Sequence, residues 1–430
     1  MKQLINNLKG DKGIWSFVAL LALFSFMPVF SASSNLAYLG HGTGNTLGYL
    51  IKHFFHVCCG FGIIYFVHKV PYQYFRYISK WMLVIVWVIL LITMVKGTVI
   101  GGANASRWIQ IPVVGLSFQP STFAALVLYV FVARYLSKTR EEPIVFVDSI
   151  KELWAPVGFT LMLILPSNFS TTALIFSMIL MLVFIGKYPL KYIGIIVGSG
   201  IVFLTFFVLV SKAFPDVKFF NRVATWESRI KNFSGTNPDE DDYQIEKAKI
   251  AIASGKIYGL GPGKSVQKNF LPQSSSDFIF AIIVEEYGLI GGFGVMMLYL
   301  LLLFRFVVAS HKANTLFGKL VVIGLGFPMI FQAMINMAVA VELLPVTGQT
   351  LPLISSGGTS IWMTCIALGI IIGVTKKEEE IEEEQKEAAK REEALQKLID
   401  AQLSADEGSV ASDYSIEDKS SNPMNAVLNK

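Results

Sequence analysis

Long apolar runs follow one another along this chain from Ile14 to Thr375, separated by short segments that carry Lys, Arg, Gly or Pro. An α-helix needs about 20 predominantly apolar residues to cross the hydrocarbon core of a bilayer. The pattern predicts about ten spanning helices, at residues 14–33, 50–67, 81–99, 120–136, 153–166, 170–186, 190–211, 277–304, 319–341 and 357–375. The fifth and sixth runs are short. Helix breakers between Pro166 and Ser170 predict that these two form a hairpin whose arms fall short of a full crossing.

The same pattern divides the chain. Residues 1–13 are a short basic N-terminus, 14–375 form an all-α membrane domain, and 212–276 are a large loop between the seventh and eighth spans. Loops of that length are functional or else disordered. After Lys376 a run of Glu, Lys, Ala and Gln over 376–403 predicts a charged helix with i to i+4 pairs, and 404–430 reads as a disordered tail. The first run follows a basic segment, as a signal peptide would, but with so many later spans it reads as a retained helix.

Lys and Arg are retained on the cytoplasmic side of short loops. With the N-terminus inside, Lys2, Lys9, Lys12, Lys69, Arg76, Lys80, Arg134, Lys138, Arg140, Lys151, Lys187, Lys191, Arg305, Lys312 and Lys319 all fall in the cytoplasm. Only Lys52, Lys96 and Arg107 fall in short outer segments. Both termini are therefore expected inside and the large loop outside.

Composition agrees with this reading. Hydrophobic residues make up 53% of the chain and charged residues 16%, too apolar for a soluble domain. The net charge of +5 is spread over loops between spans, so it reports topology and not a nucleic-acid surface. Cys58, Cys59 and Cys365 all lie in apolar runs and read as packing residues.

Carboxylates at or inside apolar spans need a reason. Asp277 stands where the large loop enters the eighth span, in LPQSSSDFIFAIIVEEYGLIGG. It reads either as a helix N-cap or as a functional acid at the outer interface. Glu285 and Glu286 lie two turns further in, paired with a basic residue of a neighbouring helix or serving an electrostatic or proton-handling role. GLGPGKSVQK in the loop misses the phosphate-binding Walker pattern by one residue, since Tyr258 stands where Gly is required. What survives is a glycine-rich turn with Lys264 and Lys268, either a flexible turn or a holder for a lipid phosphate. His53 and His56 share a helix face but have no third metal ligand nearby in sequence.

Four segments together carry a resemblance: GGANASRWIQIP with FQPS at 101–121, AIASGKIYGLGPGKSVQKNFLP at 251–272, SDFIFAIIVEEYGLIG at 276–291 and LLPVTGQTLPLISSGGTS at 343–360. In this order, among ten spans, they resemble the SEDS family of RodA and FtsW proteins, which polymerise lipid II into peptidoglycan. The resemblance implies the family's ten-helix fold, with the essential aspartate at Asp277. Departures accompany it: Thr122 and Ala125 replace a Glu and a Lys, Asn168 replaces an Asp, Ser356 a Tyr and Glu342 a Gly. Loss of both charges at 122 and 125 is what removal of an internal ion pair requires.

The implied reaction joins an acceptor sugar hydroxyl to the anomeric carbon of a donor and releases undecaprenyl pyrophosphate. It needs a base and cations for the leaving phosphates. Asp277 is the expected base. Arg107, Lys96, Lys264 and Lys268 are the expected phosphate ligands, and Glu285, Glu286, Ser355, Gly357 and Gly358 support them. No residue pattern spells out ligands for a divalent cation that would share the task. The segments GQTLPLISSGGTS and SVQKNFLP are closer to the division member, FtsW, than to the elongation member, RodA. The resemblance implies a bacterial inner-membrane location, a class B penicillin-binding protein as partner, and other division proteins. A lipid-linked-sugar flippase without chemistry is the alternative from another class.

Overall fold

The computed structural model describes residues 8–39, 46–97, 108–111, 116–139, 144–214, 221–233, 240–271, 274–376, 386 and 389–397. The chain divides into two compact units, Met1–Thr375 and Lys376–Lys430. In the second, the described backbone is helical over residues 389–397, where Lys397 donates to Glu393 one turn away at 2.8 Å. Most of the charged helix expected at 376–403, and all of the tail expected at 404–430, lie outside the described residues.

The first unit opens with α1 (Lys12–Leu39), α2 (Thr46–Val67), α3 (Gln73–Lys96) and α4 (Pro120–Lys138). A four-residue helix α5 (Phe146–Ser149) runs through a π-helical turn (Ile150–Trp154) into α6 (Ala155–Ile164), followed by α7 (Phe169–Ile185) and α8 (Leu190–Ala213). Two helices of the large loop, α9 (Asn221–Phe233) and α10 (Glu240–Gly255), precede α11 (Ile279–Lys312), α12 (Leu316–Ala340) and α13 (Thr359–Val374). Every expected span coincides with a helix. Among the described residues seven helices are long and apolar enough to cross a membrane, and α7 and α13 are shorter apolar helices. The protein is a multi-pass membrane protein.

The helix that carries the short fifth run begins earlier than the run itself: helical backbone extends from Phe146 to Ile164, about 28 Å at 1.5 Å per residue, while its apolar part stays short. Asp148, Lys151 and Glu152 hide its first turns from a hydropathy reading. The fold is all-α as expected, with one small addition between α3 and α4: β1 (Ile109–Ile111) pairs antiparallel with β2 (Leu116–Phe118), Gln110 opposite Ser117.

The helices are unequally enclosed. Within their most apolar stretches α4 and α12 are 67% buried, whereas α8 is 6% buried, with the Tyr192 ring against Phe146 of α5 near its start and the Phe207 ring stacked on Trp226 of α9. A bilayer hides the exposed face of α8 as a core would. At the end of the bundle away from Asp277, Asp11 pairs with Arg305 of α11 and accepts from the Ile14 N–H, while its own N–H donates to Thr375 at the end of α13. One residue, through its carboxylate and its backbone N–H, thus ties three elements together.

Helix α11 is two helices in line. At Gly288 the backbone turns to φ 68°, ψ −172°, and the leg before it, from Ile279 to Glu286, is buried throughout. Gly259 is the reason the break is tolerated. A Cβ on Gly259 would stand 2.2 Å from the Glu286 carbonyl oxygen, and one on Gly288 would stand 2.1 Å from that of Ile257. Gly255, whose Cβ would stand 2.0 Å from the Val284 carbonyl oxygen, extends the same close approach, and the contact is sealed by Leu260 N–H to Glu285 O and Gly261 N–H to Glu286 O, both at 2.9 Å.

Candidate functional site

Asp277 lies one residue before Phe278, the first flanking residue of α11. Its carboxylate lines a cavity of about 420 Å³ walled by α2, β2, α4, α7, α12, α13 and the segments 348–350 and 356–358. The wall is mixed, with Thr122, Tyr129, Thr171, Gln332, Gln349 and Ser360 among apolar residues.

Local bonds fix this end of the cavity. Ser355 Oγ donates to the Ser276 carbonyl and accepts from the Leu351 N–H, each at 2.7 Å, and the Ser356 N–H donates to Ser275 O at 2.9 Å. The SSGG turn is thus stitched to the residues just before Asp277. Gly348 adopts φ 66°, and a Cβ there would approach Asp277 Oδ2 to 3.4 Å. Asn336 Nδ2 donates to the carbonyls of Asp277 and Gln349, both at 2.7 Å, and Gln332 Nε2 donates to Thr350 O at 2.9 Å. Gln349 Nε2 in turn donates to Thr171 Oγ1 at 3.0 Å.

The other expected site residues separate into three groups. Gly357 and Gly358 line the cavity, and Ser355 braces it from behind. Lys264, Lys268, Glu285 and Glu286 are not among its lining residues. Instead the buried Glu285 accepts from Ser265 Oγ and from the N–H groups of Val266 and Gln267 at 3.0 and 3.2 Å, and Glu286 accepts from Ser31 Oγ and from the Ser265 N–H at 3.2 Å. Lys268 Nζ donates to Ser31 Oγ at 3.1 Å and to Gly263 O at 2.8 Å. The two glutamates clamp the glycine-rich loop through hydroxyl and backbone donors, where the sequence suggested a basic partner. Arg107 and the Lys96 side chain lie outside the described residues.

Three departures from the family pattern acquire physical meanings. Thr122 and Ala125 both line the cavity, so the missing ion pair leaves that part of its wall neutral. Asn168 caps α7, its Oδ1 accepting from the Thr171 N–H at 3.2 Å, which an Asp would do equally well. Glu342 takes φ 60°, a conformation that favours glycine, and accepts from Lys249 Nζ of α10 at 2.6 Å. That bond and charge hold the Lys249 ammonium above its usual pKa.

The sequence placed Lys52 in an outer segment and His53 and His56 on one helix face without joining them to Asp277, and Gln332 and Asn336 were passed over. Lys52 is the cation among the described lining residues, and it comes from α2 together with the two histidines. Among the described residues no group of three or more His, Cys, Asp or Glu side chains is arranged to hold a metal ion. The signal for Gln332 and Asn336 was present: two amides four residues apart, on one face of an apolar span.

Fold and site together define a multi-pass helical membrane protein with a carboxylate in a mixed, partly polar cavity. A profile of cell cycle proteins, FtsW/RodA/SpoVE, matches residues 11–380. The probable peptidoglycan glycosyltransferase FtsW of Hydrogenovibrio crunogenus is 32% identical over 367 residues, covering 84% of this chain and 90% of that relative. Among solved structures, a chain of a peptidoglycan synthase complex that coordinates polymerization and crosslinking superposes with a TM-score of 0.64 at 22% identity, over 85% of this chain and 97% of that one. Rod shape determining protein RodA of Thermus thermophilus gives 0.61 at 21% identity, over 86% of this chain and 98% of that one. The chain belongs to the FtsW/RodA/SpoVE family.

Proposed function

We infer that this chain is a peptidoglycan glycosyltransferase of the FtsW kind, polymerising lipid II into glycan strands during division. The observation that carries the inference is the placement of Asp277 in the cavity, braced by the SSGG turn, in a chain 32% identical to a relative named for that activity.

In the reaction, the acceptor sugar's hydroxyl attacks the anomeric carbon of the donor. The new C–O bond forms as the bond from that carbon to the pyrophosphate oxygen breaks, and undecaprenyl pyrophosphate leaves with the electron pair. Asp277 takes the hydroxyl proton. A carboxylate in the wall of the cavity suits the task because a general base must stand within hydrogen-bond reach of the hydroxyl it deprotonates. Lys52, across α2, offers an ammonium to the leaving phosphates. Arg107, in the segment leading to the cavity-lining Trp108, remains a proposed phosphate ligand, since its planar fork matches phosphate oxygens. Lys264 and Lys268 are proposed only for the lipid phosphate at the membrane surface.

The reading includes the bacterial inner membrane, with both termini cytoplasmic and the cavity mouth facing outward. The lysines and arginines of the short loops support that orientation. A class B penicillin-binding protein is the proposed partner, and other division proteins are proposed alongside it. The likeness to a chain of a peptidoglycan synthase complex is what supports the first of these. Incubating purified protein with lipid II, with and without the partner, and separating products by size tests the reading. Glycan chains are expected in the presence of the partner, and lipid II moved across a bilayer without polymer would favour a flippase.

A further inference from the structure

We propose that Asn336 of α12 is the positioning residue for Asp277, setting where the base stands relative to the cavity wall opposite it. The inference rests on the reading of Asp277 as base and adds a residue that acts through it. Asn336 is 1% exposed, and its Nδ2 donates to two carbonyls at 2.7 Å, those of Asp277 and Gln349. These carbonyls belong to segments far apart in sequence, one leading into α11 and the other following α12. Both segments line the cavity.

The orientation of this amide is fixed by chemistry. Both neighbours are carbonyl oxygens, so the amino group must face them, and the reversed amide would set Oδ1 against two lone-pair acceptors. Oδ1 is left buried without a hydrogen-bond partner in the protein. A side chain chosen only to fill this space would be apolar, as its neighbours Ala333, Met337 and Ala340 are. Asn336 instead gives both its donors to the backbone of the site and leaves its acceptor idle.

The consequence is mechanical. Backbone at residue 277 lies just outside α11. Asn336 bonds its carbonyl and ties it to that of Gln349, whose own side chain reaches Thr171 of α7. Base, cavity-lining segment and α7 therefore move as one. A shift of the base by about 1 Å is worth up to about a hundredfold in rate. Asn336 touches no reacting atom in this account, so its loss should appear in kcat and not in lipid II binding.

The test measures kcat and KM for lipid II per folded, inserted molecule of the full chain with its partner. Asn336→Leu and the isosteric Asn336→Asp are each expected to lower kcat tenfold to a hundredfold with KM within twofold. The Asp variant carries the test if the Leu variant does not insert. Asn336→Gln, which keeps both donors, is expected to recover at least a third of wild-type kcat. In an Asp277→Glu background, where the carboxylate is already displaced, Asn336→Asp should cost less than threefold more. Wild-type kcat in the Leu and Asp variants, or a fully multiplicative loss in the double variant, overturns the proposal. Wild-type polymerisation by Asp277→Asn overturns the base reading instead, so the two failures are distinct.

Discussion

Lys249 donates to Glu342 across 2.6 Å, joining α10 of the large loop to the end of α12 at a residue held at φ 60°. Glycine tolerates that conformation without strain, and glutamate does not. The ion pair therefore offsets a local cost that the family's glycine would not incur. Glu342→Gly is expected to leave thermal stability unchanged or raise it, and Lys249→Met to lower it slightly. In the Glu342→Gly background, Lys249→Met should have no effect. Because the folded pKa of Lys249 is raised above 10.5, the pair's contribution is complete below that pH and is lost as pH rises through the folded value. The stability difference between wild type and Lys249→Met should stay constant from about pH 7 to 9 and shrink above about pH 10.5. A Lys249→Met effect of equal size in both backgrounds contradicts the pairing.

Glu285 gathers three donors from residues 265–267, and a glutamine there has one acceptor oxygen where the carboxylate has two. An amino group would then face backbone N–H groups. Hydrogen bonds to a charged acceptor contribute about 1.5–3 kcal/mol each. Glu285→Gln is expected to raise amide hydrogen exchange at Val266 and Gln267 about 30-fold, the equivalent of about 2 kcal/mol. Exchange in α13 should not change. Unaltered protection of the loop would show that the carboxylate does not hold it.

The neutral cavity wall at Thr122 and Ala125 makes a paired prediction. These positions are three apart on α4 and share its cavity face. Thr122→Glu alone places an uncompensated charge there and is expected to cost about 3 kcal/mol. Adding Ala125→Lys should restore stability to within about 1 kcal/mol, because the charge then has its partner. Thermal unfolding in detergent measures both, and a double variant no more stable than Thr122→Glu contradicts the pairing.

How far the sequence carried this structure depends on the range of the contacts concerned. Hydropathy located every span, since burial in lipid is written into each run separately. The fifth helix hid its first turns behind Asp148 of α5 and Lys151 and Glu152 of the π-helical turn. Glu285 and Glu286 stood out as buried carboxylates, but their partners did not. The clamp depends on Gly259 meeting Gly288, a contact between segments that neither composition nor spacing announces. Lys264 and Lys268 belong to that clamped loop and not to the cavity for the same reason. Asp277 was legible because its position at a span's edge is local. Gln332 and Asn336 stood out as amides inside an apolar span, but their nearness to Asp277, like that of Lys52, came only with the packing of α2 and α12 around it.

The central claim is that Asp277 is the base for glycan polymerisation, and one measurement bears on it most directly. Asp277→Asn keeps the size of the side chain and removes its capacity to take a proton. Full-length wild-type and Asp277→Asn proteins, each with the partner and matched for folded amount by thermal unfolding, are incubated with lipid II and their products separated by size. The account predicts glycan chains from the wild type and at least a thousandfold less polymer from a variant with unchanged unfolding temperature. Polymer from folded Asp277→Asn at the wild-type rate would contradict it.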